Sequence, residues 1–452
     1  MIKNCILRRC RLSCTPGSSG HIDFMIFLTE EDDTYVKGLC ADDSGNIYMV
    51  GRTKVGGSSY DPFMFWITPD KRLDNAWRYH IYDDPHGYGA SASREFKEII
   101  FHEGYLYIAG QGISSLSDGY ENALFLLKMH PNRPSTMEKI YHQKSDVDTS
   151  FLTDLKIAPN GYIYTCGRLN GSNGCIGKFS TSLYKDYIKQ VKSPEDESIG
   201  HLFGMDVDDN NDMYTVGMGR ISSNWGYVIS KWNENGALKA STFIYSSDTY
   251  AAPHCITVDA NYVYVGGMSR DADTGQSRPI IYKLQKSDLS LVRGVRYKES
   301  GVVMSLCLHG SSLYAVGTIG TDNLVIELDT NDLQPTKGVV FGTSNFESIF
   351  DEGTAIIVGD ILMIGIQLGV RDNRVVAIAF IDLNDFPQGS LSSSEYNITA
   401  HSLDLSKFDF TDNFIQTSPG LQVTSPTIHT ESVSMDATRI YSYYTVGYDV
   451  VC

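Results

Sequence analysis

Four oxygen-bearing side chains stand at alternate positions in the stretch DVDDNND: Asp206, Asp208, Asn210 and Asp212. Hard oxygen ligands at this spacing open a calcium-binding loop. Such a loop needs a glycine at its sixth position and a bidentate Glu at its twelfth; Asn211 and Gly217 stand there instead. Calcium is the one cofactor these residues suggest, and the competing reading is an ordinary acidic turn. The RDADTG stretch at 270–275, with Asp271 and Asp273, reads best as a solvated loop. His201, His254 and His309 do not share one register of the chain, so scattered histidines are expected rather than a metal cluster. No nucleophile elbow, zinc-protease helix, phosphate loop or dinucleotide fingerprint occurs, and no carboxylate pair can be assigned as acid and base. No catalytic residue is therefore named.

Nine cysteines are present, and none forms a CxxC pair. Cys40, Cys166, Cys175, Cys255 and Cys307 fall in apolar stretches that read as strands, where a thiol acts as a small hydrophobe. Cys5, Cys10, Cys14 and Cys452 crowd at the two ends. They are disulfide candidates if the ends meet; the alternative is that all four stay reduced.

The chain has 452 residues, 42% of them apolar, with a net charge of -17. An acidic surface repels phosphate backbones, so nucleic acid is not an expected partner. The longest apolar stretches, at 355–366 and 375–381, fall short of the ~20 residues a bilayer crossing needs, so no membrane partner is expected. Residues 1–22 lack the apolar core of a secretory signal and carry Lys3, Arg8, Arg9 and Arg11 with no acid. They read as a basic arm that docks on an acidic partner or on this same acidic body; the alternative is an organelle transit peptide. The two Asn-x-Ser/Thr sequences, at Asn170 and Asn397, read as incidental without a secretory signal.

The elements that must carry these residues come from a repeat. NIYMVG at 46–51 returns as YLYIAG, YIYTCG, DMYTVG, YVYVGG and SLYAVG, then as DILMIG. The closing glycines, from Gly51 to Gly365, lie 48 to 59 residues apart. Three positions earlier stand Tyr48, Tyr107, Tyr164, Tyr214, Tyr264 and Tyr314, then Leu362. Each phrase follows an apolar stretch and an Asp/Asn/Gly turn and precedes two further strand-like runs, so each unit has four strands. Both faces of the phrase are apolar, which suits blades stacked face to face around an axis.

This pattern resembles the bacterial-type seven-bladed β-propeller repeats, over about residues 24–447. The resemblance implies an all-β closed propeller of four-stranded blades and leaves the function open. The end of the chain repeats the phrase as YYTVG at 443–447, and DFMIF at 23–27 looks like an orphan strand. Eight blades are therefore expected, with the ring closed by strands from both termini, and seven is the alternative. The domain reading is an arm at 1–22 and a propeller at 23–452, with an irregular Ser/Thr/Pro-rich excursion at 386–430.

Two functions compete. One is a non-enzymatic structural or interaction protein in a large assembly such as a virus or phage particle. It would meet other subunits through the arm and blade loops, or a glycan, in a virion or cytoplasmic setting. The other is a propeller lyase or quinone-dependent dehydrogenase with an axial active site.

Overall fold

The computed structural model describes residues 6–14, 19–28, 34–56, 59–82, 94–116, 119–134, 137–144, 150–169, 173–192, 199–221, 224–246, 250–270, 274–343, 354–370, 373–393, 398–409, 414–417, 422–424 and 434–439. Among them the sheets make seven antiparallel blades around one axis. The inner strands, blade by blade, are Thr34–Ala41, Glu95–His102, Phe151–Ile157, Ile199–Val207, Tyr250–Val258, Gly301–His309 and Thr354–Val358. Each pairs with a second strand that carries the repeated phrase, and two outer strands follow.

Every seam between blades holds its own apolar cluster. Tyr48 and Val50 of blade 1 pack with Phe96, Ile99 and Ile108 of blade 2. The ring closes where Phe27, Met363 and Ile378 of blade 7 meet Leu39, Met49 and Phe65 of blade 1. A second strand thus buries one face against each neighbouring blade, which is why both its faces are apolar.

The six repeat tyrosines occupy equivalent places on the second strands, at most 3% exposed. In three of the six blades the hydroxyl explains the acidic turn that precedes the phrase. Tyr48 donates to Asp42 at 3.0 Å, Tyr214 to Asp208 at 3.1 Å and Tyr264 to Asp259 at 2.8 Å. The same aspartates accept turn amides, as Asp42 does from Ser44 and Asn46 at 2.9 and 2.8 Å. A buried ring and a tethered turn are fixed by one side chain.

The repeat glycine answers a second need. In six of seven blades the inner strand carries an extra residue opposite it, a β-bulge: Lys37, Lys97, Thr153, Phe203, His254 and Met304. The bulge drives a backbone carbonyl toward the second strand. A Cβ on Gly51 would lie 1.9 Å from the Tyr35 oxygen, and one on Gly317 1.9 Å from the Val302 oxygen. Only glycine leaves room.

The expectation of eight blades is overturned. The orphan strand is no part of an extra blade: Ile22–Leu28 pairs with Asn373–Asp382 and is the fourth strand of blade 7, with Phe24 opposite Ala379. Among the described residues, Ile22–Leu28 closes the ring, burying Phe24 and Phe27 in the two seams of that blade. YYTVG at 443–447 lies outside the described residues. The described part of the arm, Ile6–Cys14, pairs with Ile22–Leu28 on the outer edge of blade 7, and Arg11 bonds Asp23 at 2.6 Å.

The irregular region is neither blade nor free loop where it is described. Ser390–Ser393 pairs with Ile6–Cys14 and with Ile398–Ser402, which lies along the outer strand of blade 6, Pro335–Thr343. Phe408–Asp409 then pairs with the outer strand of blade 5, Leu291–Tyr297. Phe414–Thr417 follows on blade 4 at Leu238–Ser246, and Gln422–Thr424 on blade 3 at Lys185–Lys192. Ser434–Arg439 ends the series on blade 1 at Leu73–Tyr82. The segment runs round the rim against the chain order as a belt of fifth strands.

Candidate functional site in the axial channel

The seven inner strands enclose a cavity of about 420 Å³ on the axis. The bulge residues sit on its wall, and so do Glu98, Asp154 and Lys156. Because the bulge recurs at one level of the ring, its six side chains, of five types, form one tier. Along the cavity wall, members of that tier touch Phe151 and His201 in an arc of rings and cations across four blades. The Lys97 ammonium lies 4.7 Å over the Phe151 ring. Phe151 meets His201 at 5.6 Å, His201 meets Phe203 at 3.9 Å, and Phe203 meets His254 at 5.6 Å between ring centroids. Lys97 also pairs with buried Glu95 at 2.7 Å, and Glu95 with Arg52 at 3.2 Å.

A charged layer follows along the axis. Glu98 and Asp154 hold the same register on adjacent inner strands, opposite Ala109 and Cys166. Lys156 stands one step on, 4.0 Å from Asp154. Asp154 accepts the amides of Leu155 at 2.7 Å and of Met205, on the next blade, at 2.8 Å. Asp206 repeats this one blade later, taking Val207 and Val258 amides, each at 2.9 Å. These aspartates stitch blades 3, 4 and 5 together at the axis.

Enclosure and crowding shift the acids. Burial, and then the charge of Asp154, push Glu98 up to about 8. Burial also raises Asp154 above the usual carboxylate range, against the pull of Lys156 and the Met205 amide. Asp154 in turn holds Lys156 above the ordinary ammonium range. Near neutral pH Glu98 is a protonated acid beside an ion pair, in a space that concentrates its field. Such a carboxyl can donate a hydrogen bond or a proton to a bound group.

The residues singled out in the sequence fall elsewhere or play other parts. Asp208 bonds the Asn210 and Asp212 amides, each at 2.9 Å, and pairs with Lys286 at 3.2 Å. Asp212 pairs with Lys239 at 2.7 Å and Lys231 at 3.4 Å. With Asp206 tied to blade 5, the four do not converge, and among the described residues no group of three or more ligands is placed to hold a metal. His309 lies 3.1 Å from Asp360, apart from the axial histidines. Asn170 and Asp271 lie outside the described residues. Cys10 and Cys14 stand on the Ile6–Cys14 strand opposite Phe24 and Leu391, while Cys5 and Cys452 lie outside the described residues. Cys40, Cys166, Cys175, Cys255 and Cys307 are free thiols. Burial pushes Cys175 up to about 12 and Cys307 up to about 11, so neither is a thiolate at neutral pH.

Sequence reasoning missed the tier and the charged layer. One signal was present: each bulge residue stands 10 or 11 positions ahead of its repeat tyrosine. It passed unseen because the residue type changes from blade to blade there, with only lysine occurring twice.

Fold and contacts together define a seven-bladed β-propeller with a polar axial cavity. No family model matches the sequence, and no curated protein matches it. Among solved structures the similarities are low. Sqt1 of Chaetomium thermophilum, bound to the N-terminus of ribosomal protein L10, is 10% identical over 78% of this chain and 98% of its own, with a TM-score of 0.44. The Dos1 propeller is 9% identical over 79% and 93%, with a TM-score of 0.46. The polysaccharide lyase Uly1 is 10% identical over 78% and 90%, with a TM-score of 0.38. The resemblance read from the repeat rests on the sheet topology, as a fold and not as a family. Among the described residues no helix is long and apolar enough to cross a membrane.

Proposed function

We propose that this protein is a non-enzymatic structural and interaction component of a large assembly, of the kind that builds a virus or phage particle. The observation that carries the reading is the belt. It lies along the outer strands of blades 6, 5, 4, 3 and 1, and through Ser390–Ser393 it is paired to Ile6–Cys14 on the edge of blade 7. A ring fastened at its rim behaves as one rigid disk, which suits a part that must hold its shape while other subunits bind. Blade loops and the N-terminal region would supply contacts to protein subunits or to a glycan. The test is cross-linking mass spectrometry on the native assembly. Cross-links from this chain to other subunits support the reading; a chain that purifies free of any partner sinks it.

A second reading has its own observation. Glu98, protonated near neutral pH beside Asp154 and Lys156, is equipped for acid–base chemistry in an enclosed cavity. A turnover found in the purified protein and abolished by Glu98→Gln would replace the first reading with an axial enzyme.

A further inference from the structure

The axial cavity carries an inference that goes beyond the assembly reading and needs no turnover. Its wall is divided by chemistry. On blade 3 the Lys156 side chain stays 40% exposed, and its ammonium reaches Asp154 at 4.0 Å, the long end for an ion pair. Both Asp154 oxygens are already taken by the Leu155 and Met205 amides. The ammonium therefore keeps bonding capacity for the cavity it lines. Glu98 spends one oxygen on the Ile99 amide at 2.9 Å. Burial and Asp154 keep its proton on near neutral pH, so the carboxyl has an O–H left to donate. Facing these groups, Leu39, Ile256, Leu306 and Ile356 line an apolar side from blades 1, 5, 6 and 7. The rings of His201, Phe203 and His254 stand next to it on the same wall. A few convergent polar groups in a cavity otherwise lined by apolar and aromatic side chains are the pattern of a small-molecule site.

Charge and spacing narrow the ligand. Lys37 and Lys97 share the wall with Lys156, which favours an anion over a cation. One ammonium and one neutral carboxyl at the same level suit the single charge of a carboxylate. Phe203 stands at the bulge level, Glu98 one residue further along its strand, and Lys156 two residues beyond that. At about 3.3 Å per residue, a short arm joins a ring beside Phe203 to an acid group beside Glu98 and Lys156. We propose that the axial cavity binds a small aromatic carboxylic acid, whose carboxylate accepts from Lys156 and Glu98 and whose ring lies among His201, Phe203 and His254.

The probe is phenylpropionate, titrated by calorimetry into the full-length protein at neutral pH. The wild type should bind it saturably, one per chain. Phenylpropanamide, which keeps the ring and loses the charge, should bind roughly tenfold more weakly or worse, the factor for a charge-assisted bond. Propionate, which keeps the charge and loses the ring, should fall by roughly the same factor. Lys156→Gln should weaken phenylpropionate roughly tenfold, whereas Glu98→Gln, which still donates, should hold it within about threefold. Phe203→Ala should weaken it roughly fivefold and leaves the charged layer intact, so it locates the site even where Lys156→Gln fails to fold. No saturable binding to the wild type, equal affinity for the acid and its amide, or binding that Phe203→Ala and a folded Lys156→Gln leave unchanged overturns the proposal. Cross-links within an assembly depend on none of these results, so the two readings fail separately.

Discussion

The inner and second strands of each blade lie side by side, yet they are built on opposite rules. The second strand repeats its residues: tyrosine, then glycine three positions on, in blade after blade. The inner strand repeats its bend and not its residues; Lys37, Lys97, Thr153, Phe203, His254 and Met304 share one bulge and almost no chemistry. Packing imposes the first pattern, because every seam presents the same gap to fill. The bulge turns the inner strand's extra residue onto the axial wall, where no neighbouring blade dictates its size. Repetition in this molecule therefore marks structure, and variation at a repeated position marks the site.

The comparison is broken most directly at a glycine. Gly317→Ala would place a methyl 1.9 Å from the Val302 oxygen, where the obstacle is backbone. The expected loss is about 3 kcal/mol or more in a denaturant melt, at the upper end for overpacking. A loss below about 1 kcal/mol would mean that the bulge yields and does not set the glycine.

Tyr214 and Phe203 set the two strands of blade 4 against each other. Tyr214→Ala should cost about 3–5 kcal/mol, since the ring is wholly buried in its seam. Tyr214→Phe should cost about 1–2 kcal/mol, because it removes one donor from Asp208. Phe203→Ala, at the cavity wall, should cost about 1 kcal/mol, near the middle of ordinary substitutions. Equal losses for Tyr214→Ala and Phe203→Ala would erase the distinction between seam and wall.

The charged layer makes stability depend on pH. Glu98 keeps its proton to about pH 8 in the folded protein and releases it near its ordinary value of 4.5 when unfolded. Between those values the native state binds more protons than the unfolded state, so stability falls as pH rises. Burial raises Asp154 in the same direction. Lys156 is raised from 10.5 and acts above this window. Melts of the wild type should therefore show declining stability from about pH 5 to pH 8, and Glu98→Gln should flatten part of that slope. A variant with an unchanged slope would remove Glu98 from the account.

The smallest expected effect is at the acidic turn. Asp208 and Asp212 are held by Lys286 and Lys239, so calcium or a chelator should leave the melting temperature unchanged. A clear rise with calcium would show that these lysines give way to an ion.

Much of the architecture was legible. The tyrosine and glycine ruler located six of seven second strands by residue type and the seventh by spacing. The blade count was misread because an apolar N-terminal strand looks the same whether it begins an extra blade or completes the last one. Only its partner, Asn373–Asp382, distinguishes the two. The belt was illegible for a different reason. Its pairing is backbone to backbone, and residues 398–439 carry no repeat to betray it. The axial layer was hidden because Glu98 and Asp154, 56 positions apart, are neighbours only once blades 2 and 3 stand side by side.

By itself the sequence determined the class of fold, the four-stranded unit, and the identity of the seam residues. Local periodicity and a recurrent packing gap are written into adjacent residues, so they can be read without coordinates. Tertiary structure decided the number of blades, the path of the C-terminal segment and the site. Each of these depends on which distant strands share an edge, and that depends on the closure of the ring. The charge of Glu98 depends on it most of all. A carboxyl is ordinary along the chain, and its hold on a proton is raised only when the inner strands gather it, half-buried, beside Asp154 on the cavity wall.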